Sequence, residues 1–126
     1  MVGPIIPGLT EHELPAIIGA AAEAGATQAG YSVLHLPHAV APMFERWLET
    51  HYPDRRDKVL NRIRSLRGGK LNDSRFGLRM RGEGIFADEI RALYGIAMKK
   101  AGLSSRSYRM SIRGFRRPGA RQLGLF

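Results

Sequence analysis

The stretch that decides the fold is residues 2–37, which opens with Val2–Gly8 (VGPIIPG) and closes with Gly30–Pro37 (GYSVLHLP). Both ends are short apolar runs bounded by Pro or Gly, a pattern typical of buried strands. Between them, apolar residues recur at helical spacing, namely Leu14, Ile17, Ile18, Ala21 and Ala22. A strand, a helix and a strand joined by short links form a βαβ unit, so we expect two parallel strands.

Local signals place the ends of the intervening helix. Thr10 and Glu13 have the spacing of a capping box, in which the two side chains cap backbone N–H groups reciprocally. Pro15 fits best at the first helical position, so we expect the helix to begin near Leu14. Gly25 is expected to end it.

Three further helices are predicted after Pro37. The first has apolar residues at helical spacing over 40–48, and the second runs over 53–66 and ends at Gly68 and Gly69. The third runs from Phe86 to Lys100 after a polar loop over 70–84. Residues 104–126 show no clear periodicity, so we expect them to be flexible until bound.

Composition narrows the classes of protein that this chain can be. Its 126 residues are 44% hydrophobic, which is enough for one modest core. The absence of cysteine excludes disulfides, thiolate zinc sites and thiolate-held iron-sulfur clusters within the chain. No segment approaches the ~20 apolar residues that cross a bilayer, and residues 1–7 lack a secretory pattern, so we expect a soluble cytoplasmic protein without a membrane partner.

The net charge of +9 is unevenly distributed along the chain. Residues 1–53 contain one basic and five acidic residues, whereas residues 54–126 contain 19 basic and six acidic ones. Such asymmetry favours a polyanion as the partner of the second half, because each phosphate that is neutralised releases a condensed counterion. A well-solvated basic surface is the alternative.

Residues 6–11 (IPGLTE) have the form I-x-G-x-x-E at the end of a predicted strand. This segment resembles the motif on the fifth strand of radical S-adenosylmethionine (SAM) barrels. The resemblance implies that Ile6 supports the adenine of SAM and that Gly8 permits a close backbone approach. On the same resemblance, Glu11 and Leu36 belong to the cofactor-binding set.

The order of further segments is similar to the C-terminal third of radical SAM proteins of the spore photoproduct lyase-like kind. These segments are residues 4–10, 21–26, 34–37, 59–64, 67–71, 73–77 and 79–82. The resemblance implies an α/β fold, the C-terminal βαβ portion of a partial (β/α) barrel followed by a helical extension. Residues 1–52 would then form the last βα units, residues 53–103 a basic helical extension, and residues 104–126 a basic tail.

The same resemblance has consequences for chemistry. It implies SAM and a 4Fe-4S cluster in the full-length family, the cluster being held by a C-x-x-x-C-x-x-C loop that this chain lacks. We therefore expect no cofactor in this chain and no catalysis by it alone. Catalysis would require a cluster-bearing N-terminal polypeptide, and a truncated or split gene product is the other interpretation.

A cluster of basic residues surrounds one aromatic residue, Phe76. The cluster consists of Arg62, Arg64, Arg67, Lys70, Arg75, Arg79 and Arg81. Guanidinium groups bind phosphates in bidentate fashion and Phe76 can stack on a base, so we predict a nucleic-acid-binding surface. The alternative is a solvated helix face and a loop whose arginines pair with Asp73 and Glu83.

The C-terminal segment QLGLF resembles the peptide that binds the bacterial sliding clamp. Gln122, Leu123, Leu125 and Phe126 are its predicted partner-binding residues, because apolar anchors enter a pocket while the amide bonds its rim. A chance apolar tail is the alternative. The four histidines lack the paired spacing of a metal site, so no metal site is predicted.

Two functions follow from these observations. The first is a C-terminal segment of a radical SAM enzyme that acts on nucleic acid in a DNA repair-like reaction, inactive without its cluster-bearing partner. The second is a non-enzymatic DNA-associated module that is recruited to the sliding clamp.

Overall fold

The structure is a computed structural model that describes residues 1–103 and 111–115. Its elements are, in chain order, β1 (Val2–Ile5), α1 (Leu14–Glu23), β2 (Tyr31–Val33), α2 (Val40–His51), α3 (Arg56–Leu66) and α4 (Ile85–Lys100). Single 3₁₀ turns, Glu11–Glu13 and Pro53–Arg55, lead into α1 and α3. Within these two described ranges, no helix has the length and apolar character needed to cross a membrane.

The two strands pair in parallel, with Val2 opposite Tyr31 and Ile5 opposite Val33. The N–H of Val2 donates to the carbonyl of Gly30 at 2.7 Å, and the N–H of Leu34 donates to that of Ile5 at 2.9 Å. The predicted α/β class and parallel βαβ unit are therefore confirmed. Over residues 1–103 and 111–115 the sheet has two strands and does not close into a barrel.

The helix between the strands begins where Pro15 predicted, at Leu14, but the capping box is absent. The hydroxyl of Thr10 accepts the N–H of Ile6 at 2.9 Å and so closes the turn after β1 instead of capping a helix N–H. At the other end, Gly25 has a left-handed φ of +90° and the N–H of Ala26 donates back to Ala21 at 2.9 Å, as predicted for the helix end.

The core consists of two apolar clusters on either side of the βα turns. One joins the sheet to α1 and α4, and its largest members are Ile5, Leu14, Ile18, Tyr31, Val33, Leu66, Ile90 and Met98. The other lies among the strand ends, α2 and α3, and consists of Leu9, Leu36, Leu48, Val59, Leu60 and Ile63. Each such side chain contributes about 1.5–3 kcal/mol through burial. Apolar residues of the first 52 residues and of the predicted helical extension thus lie together in both clusters.

The three predicted helices after Pro37 are all present. α2 buries one residue, Leu48, whereas α3 buries four, Val59, Leu60, Ile63 and Leu66. Gly68 and Gly69 follow α3 with positive φ angles of +61° and +88°, which ends the helix as expected. Residues 67–84 then connect α3 to α4, and they include most of the predicted nucleic-acid-binding residues.

Candidate nucleic-acid interface

Residues 67–84, which we call the basic loop, connect α3 to α4 and lie against the outer edge of β2. The N–H of Val33 donates to the carbonyl of Met80 at 2.7 Å, and the N–H of Glu83 donates to that of Leu66 at 3.1 Å. The loop therefore satisfies a backbone group that an open strand edge would leave unpaired. Gly82 makes this approach possible, because a Cβ there would lie 3.1 Å from the side chain of Leu66.

Arg67 holds the start of the basic loop in place through hydrogen bonds to backbone carbonyls. It is 2% exposed, and its Nη1 donates to the carbonyl of Leu78 at 2.7 Å. Its Nη2 donates to the carbonyl of Leu34 at 2.8 Å and lies 3.5 Å from that of Val33. Burial lowers the pKa of Arg67, but a guanidinium titrates so far above neutrality that the group stays charged.

The position of Arg67 corrects its predicted role. We expected its guanidinium to bind a phosphate at the surface, but backbone carbonyls occupy its two terminal nitrogens. The side chain is turned inward because carbonyls of two separate segments, Val33 and Leu34 at the end of β2 and Leu78 in the basic loop, converge there. Arg67 is thus a structural residue that joins α3, β2 and the basic loop.

Arg75 is compensated by acids on the same loop. Its Nε and Nη2 donate to both carboxylate oxygens of Asp73 at 2.6–3.1 Å, and its Nη2 also lies 2.6 Å from Glu83. These hydrogen bonds from Arg75 lower the pKa of Asp73 to about 2, and the two carboxylates raise the pKa of Arg75. For Arg75 the alternative interpretation, pairing with Asp73 and Glu83, is therefore what the structure shows.

The arginines of α3 are also engaged. Arg62 forms an ion pair with Glu11, and its guanidinium carbon lies 4.9 Å from the centre of the Phe86 ring. Arg64 donates to the side chain of Asn61 at 3.2 Å and is partly buried. Arg62 is therefore compensated by an acid, whereas Arg64 bonds to a neutral amide and no acid in the described part of the chain pairs with it.

Lys70, Arg79 and Arg81 remain exposed, and no acid within the described part of the chain pairs with them. The guanidinium carbon of Arg79 lies 5.6 Å from the centre of the Phe76 ring, and that of Arg81 lies 5.8 Å from the Tyr31 ring. Phe76 itself is 91% exposed. The basic loop thus carries an exposed aromatic ring with Arg79 beside it, and two further cations, Lys70 and Arg81, that no described acid compensates.

This arrangement suits one kind of chemistry. An exposed ring offers a face on which a base can stack, and neighbouring cations attract the phosphates that flank that base. Arg79 and Arg81, being planar and permanently charged, present several donors to each phosphate.

The predicted cofactor-binding residues lie elsewhere, at the carboxyl ends of the two strands. Gly8 has a φ of +87°, and a Cβ there would lie 3.2 Å from Cδ of Arg62 and 3.6 Å from Cγ2 of Val59. The glycine does permit a close approach, but the approaching group is α3 of the same chain. Leu36 is 1% exposed within the second cluster.

The other two predicted cofactor-binding residues, Ile6 and Glu11, also contact other parts of this chain. Ile6 packs against the second cluster, and Glu11 is paired with Arg62. Helix α3 therefore packs against Gly8, and Ile6 and Leu36 lie in the same apolar cluster as residues of that helix. The chain has no cysteine for the cluster, and no group of His, Asp and Glu within residues 1–103 and 111–115 suits a metal ion.

The predicted partner-binding residues of the tail, Gln122, Leu123, Leu125 and Phe126, lie outside the residues that the structure describes. Comparisons of the chain with protein families, with curated proteins and with solved structures found no match.

Sequence reasoning missed the structural role of Arg67. In the sequence it is one of seven basic residues between Arg62 and Arg81, and nothing distinguishes it from its neighbours. Its partners are 11 and 33 residues away from it along the chain. Such a set of acceptors becomes visible only once the loop lies against β2.

We predict that replacing Arg67 with Lys destabilises the fold by about 2 kcal/mol or more, because an ammonium cannot reach both the Leu34 and Leu78 carbonyls and leaves a buried acceptor unsatisfied. Urea unfolding measures this change. Arg81→Lys, at an exposed position of the same loop, is the matched control and should change stability by less than about 0.5 kcal/mol.

The amide of Val33 gives a second readout of the same variant. Its hydrogen exchange should accelerate in Arg67→Lys, because the loop carbonyl of Met80 is no longer held against it. Equal stability and equal Val33 protection in the two lysine variants would refute the structural role of Arg67.

Proposed function

We propose that this chain is a nucleic-acid-binding module that contacts unstacked bases and their phosphates through the basic loop. The observation that carries the proposal is the ring of Phe76, 91% exposed with the guanidinium of Arg79 beside it. Stacking of a base on an aromatic ring is worth about 1–3 kcal/mol and tolerates any sequence. A partner with free bases is therefore favoured over a closed duplex.

The charge of the loop supports the same partner. Residues 67–84 contain five basic residues and two acidic ones. Arg75 compensates the two acids, and Arg67 is buried, so Lys70, Arg79 and Arg81 are the cations that face solvent. A polyanion gains counterion release from such groups, whereas a neutral partner would gain nothing from them.

An exposed phenylalanine has a second interpretation, as an anchor for another protein. That interpretation explains the ring but leaves the three uncompensated cations of the same loop without a role. The two interpretations differ in salt dependence, because protein anchoring by an apolar ring is insensitive to ionic strength whereas phosphate contacts are not.

We predict that the double variant Arg79→Gln/Arg81→Gln binds a single-stranded oligonucleotide more weakly and with a log K against log salt slope that is smaller by about 1.4, or about 0.7 for each lost phosphate contact. Phe76→Leu should lose about 1–3 kcal/mol of binding with the slope unchanged. Fluorescence anisotropy over a range of salt concentrations measures both quantities.

The matched control for this prediction is Arg46→Gln/Arg55→Gln, which removes the same charge from exposed positions on α2 and on the turn before α3. Its slope should stay close to that of the unchanged protein. If the two double variants behaved alike, binding would reflect overall charge and the loop would lose its assigned role.

A catalytic context is the second candidate, and the parallel β1/β2 pair is the observation that favours it. A βαβ unit is what the resemblance to radical SAM proteins implies for the last strands of a partial barrel, with a cluster-bearing N-terminal polypeptide supplying the chemistry. The packing of α3 over Gly8 counts against SAM contacts from Ile6, Gly8, Glu11 and Leu36 in this chain.

We predict that, if the catalytic context holds, a neighbouring reading frame encodes C-x-x-x-C-x-x-C and its product forms a stable complex with this chain when the two are co-expressed. Co-purification followed by size-exclusion chromatography checks this. The absence of such a reading frame, or the lack of a complex, would leave the module without this enzymatic context.

The tail adds a proposed partner, the bacterial sliding clamp. We predict that Leu125→Ala/Phe126→Ala abolishes binding of the full chain to the purified clamp, because the two apolar anchors are removed. Arg121→Gln, one residue before the peptide, is the control and should bind as the unchanged chain does. Unaltered binding by the double variant in surface plasmon resonance would remove the clamp from the proposed partners.

A further inference from the structure

A polar cavity opens at the base of the basic loop, immediately after α3. It has a volume of ≈ 360 Å³ and is lined by Arg67, Gly68, Lys70, Asn72, Asp73, Ser74 and Arg75. We propose that this cavity binds a single phosphate group of a nucleotide. The identity of the nucleotide as part of a nucleic acid rests on the proposed function, whereas the phosphate site itself rests on the residues that line the cavity.

The charges around the cavity suit an anion. Three of the lining residues are cationic, Arg67, Lys70 and Arg75, and one, Asp73, is anionic. The hydrogen bonds that Arg75 makes to Asp73 occupy both carboxylate oxygens, so the carboxylate is compensated from within the loop. Arg75 also pairs with Glu83, so one positive charge remains in excess around the cavity. This charge attracts a phosphate ester, which carries between about one and two negative charges near neutral pH.

The cavity also offers donors that the protein itself does not use. Within the described residues, the ammonium of Lys70, the amide of Asn72 and the hydroxyl of Ser74 form no hydrogen bond or ion pair. The Nε of Arg67 has no partner either, but it is buried, so the donors that solvent reaches are those of the other three residues. Unused donors of this kind around one cavity are what an oxyanion requires.

Side chains, and not the backbone, would hold the phosphate. The N–H groups of Gly69 and Lys70 already donate to the carbonyls of Arg64 and Arg67, at 2.8 Å and 3.4 Å. This arrangement differs from a phosphate-binding loop of the G-x-x-x-x-G-K-[ST] kind, whose backbone N–H groups surround the phosphate at the start of a helix. Here the site follows the end of a helix, where the helix dipole disfavours an anion, so cationic side chains such as Lys70 must supply the attraction.

The cavity adjoins the stacking residue of the proposed function. Arg75 lines the cavity and Phe76 is the next residue, with its ring exposed to solvent. A nucleotide whose phosphate occupies the cavity can therefore place a base near this ring. The phosphate can belong to a 5′ end or to the interior of a strand, and both share the chemistry that the cavity recognises.

The experiment titrates the full chain with inorganic phosphate and follows backbone amide shifts by NMR, with sodium chloride at equal ionic strength as the control for screening. We expect saturable shifts confined to residues 67–75. Lys70→Ala and, separately, Ser74→Ala should weaken phosphate binding, Lys70→Ala by about tenfold. Lys58→Ala, at an exposed position on α3, is the matched control and should leave the phosphate affinity unchanged.

Oligonucleotides with and without a 5′ phosphate distinguish the two sources. If the phosphorylated strand binds more tightly and Lys70→Ala removes this difference, the cavity binds a terminal phosphate. If both strands bind equally and Lys70→Ala weakens both, the cavity binds an internal phosphate. Non-saturable phosphate shifts, or shifts that Lys70→Ala does not alter, would overturn the site even if Phe76→Leu still impaired strand binding. Saturable phosphate binding without any strand binding would retain the site and refute the nucleic-acid function.

Discussion

The buried guanidinium of Arg67 joins three segments of the chain that are distant in sequence. It donates to the carbonyls of Leu34 after β2 and Leu78 in the basic loop, and it is attached to the end of α3. Burial of a charge costs several kcal/mol unless hydrogen bonds compensate it, so the charge is tolerated only while these acceptors are in place. The arginine therefore makes the position of the basic loop depend on the position of β2.

Because Arg67 holds the start of the basic loop against β2, the loop is anchored there while part of its surface is exposed to solvent. The carbonyl of Met80 accepts the N–H of Val33, which covers the edge of a two-stranded sheet that would otherwise be open. On the same anchored loop, Phe76 lies outside the core and is exposed to solvent. An exposed aromatic ring on an anchored loop is a reason to look for binding rather than for catalysis.

The basic residues differ in whether a neighbouring acid pairs with them. Arg62 and Arg75 are neutralised by Glu11, Asp73 and Glu83, whereas Lys70, Arg79 and Arg81 are not. This difference matters for function because the ion pair between an arginine and a carboxylate must break before that arginine can bind a phosphate. The Glu11–Arg62 pair and the close approach of α3 to Gly8 show that residues at the strand ends contact α3 of the same chain.

The sequence by itself determined the elements of this protein. Apolar periodicity and the Pro and Gly residues at the ends located both strands and all four helices, and the short links made the strands parallel, because these features depend on residues close together in the chain. It also determined the excess of positive charge in the second half. Only the tertiary structure decided which of the basic residues are buried, paired or free, and which group faces Gly8. Those outcomes depend on contacts such as Arg67 with Leu34, 33 residues apart, and Arg62 with Glu11, 51 residues apart, which no local pattern encodes.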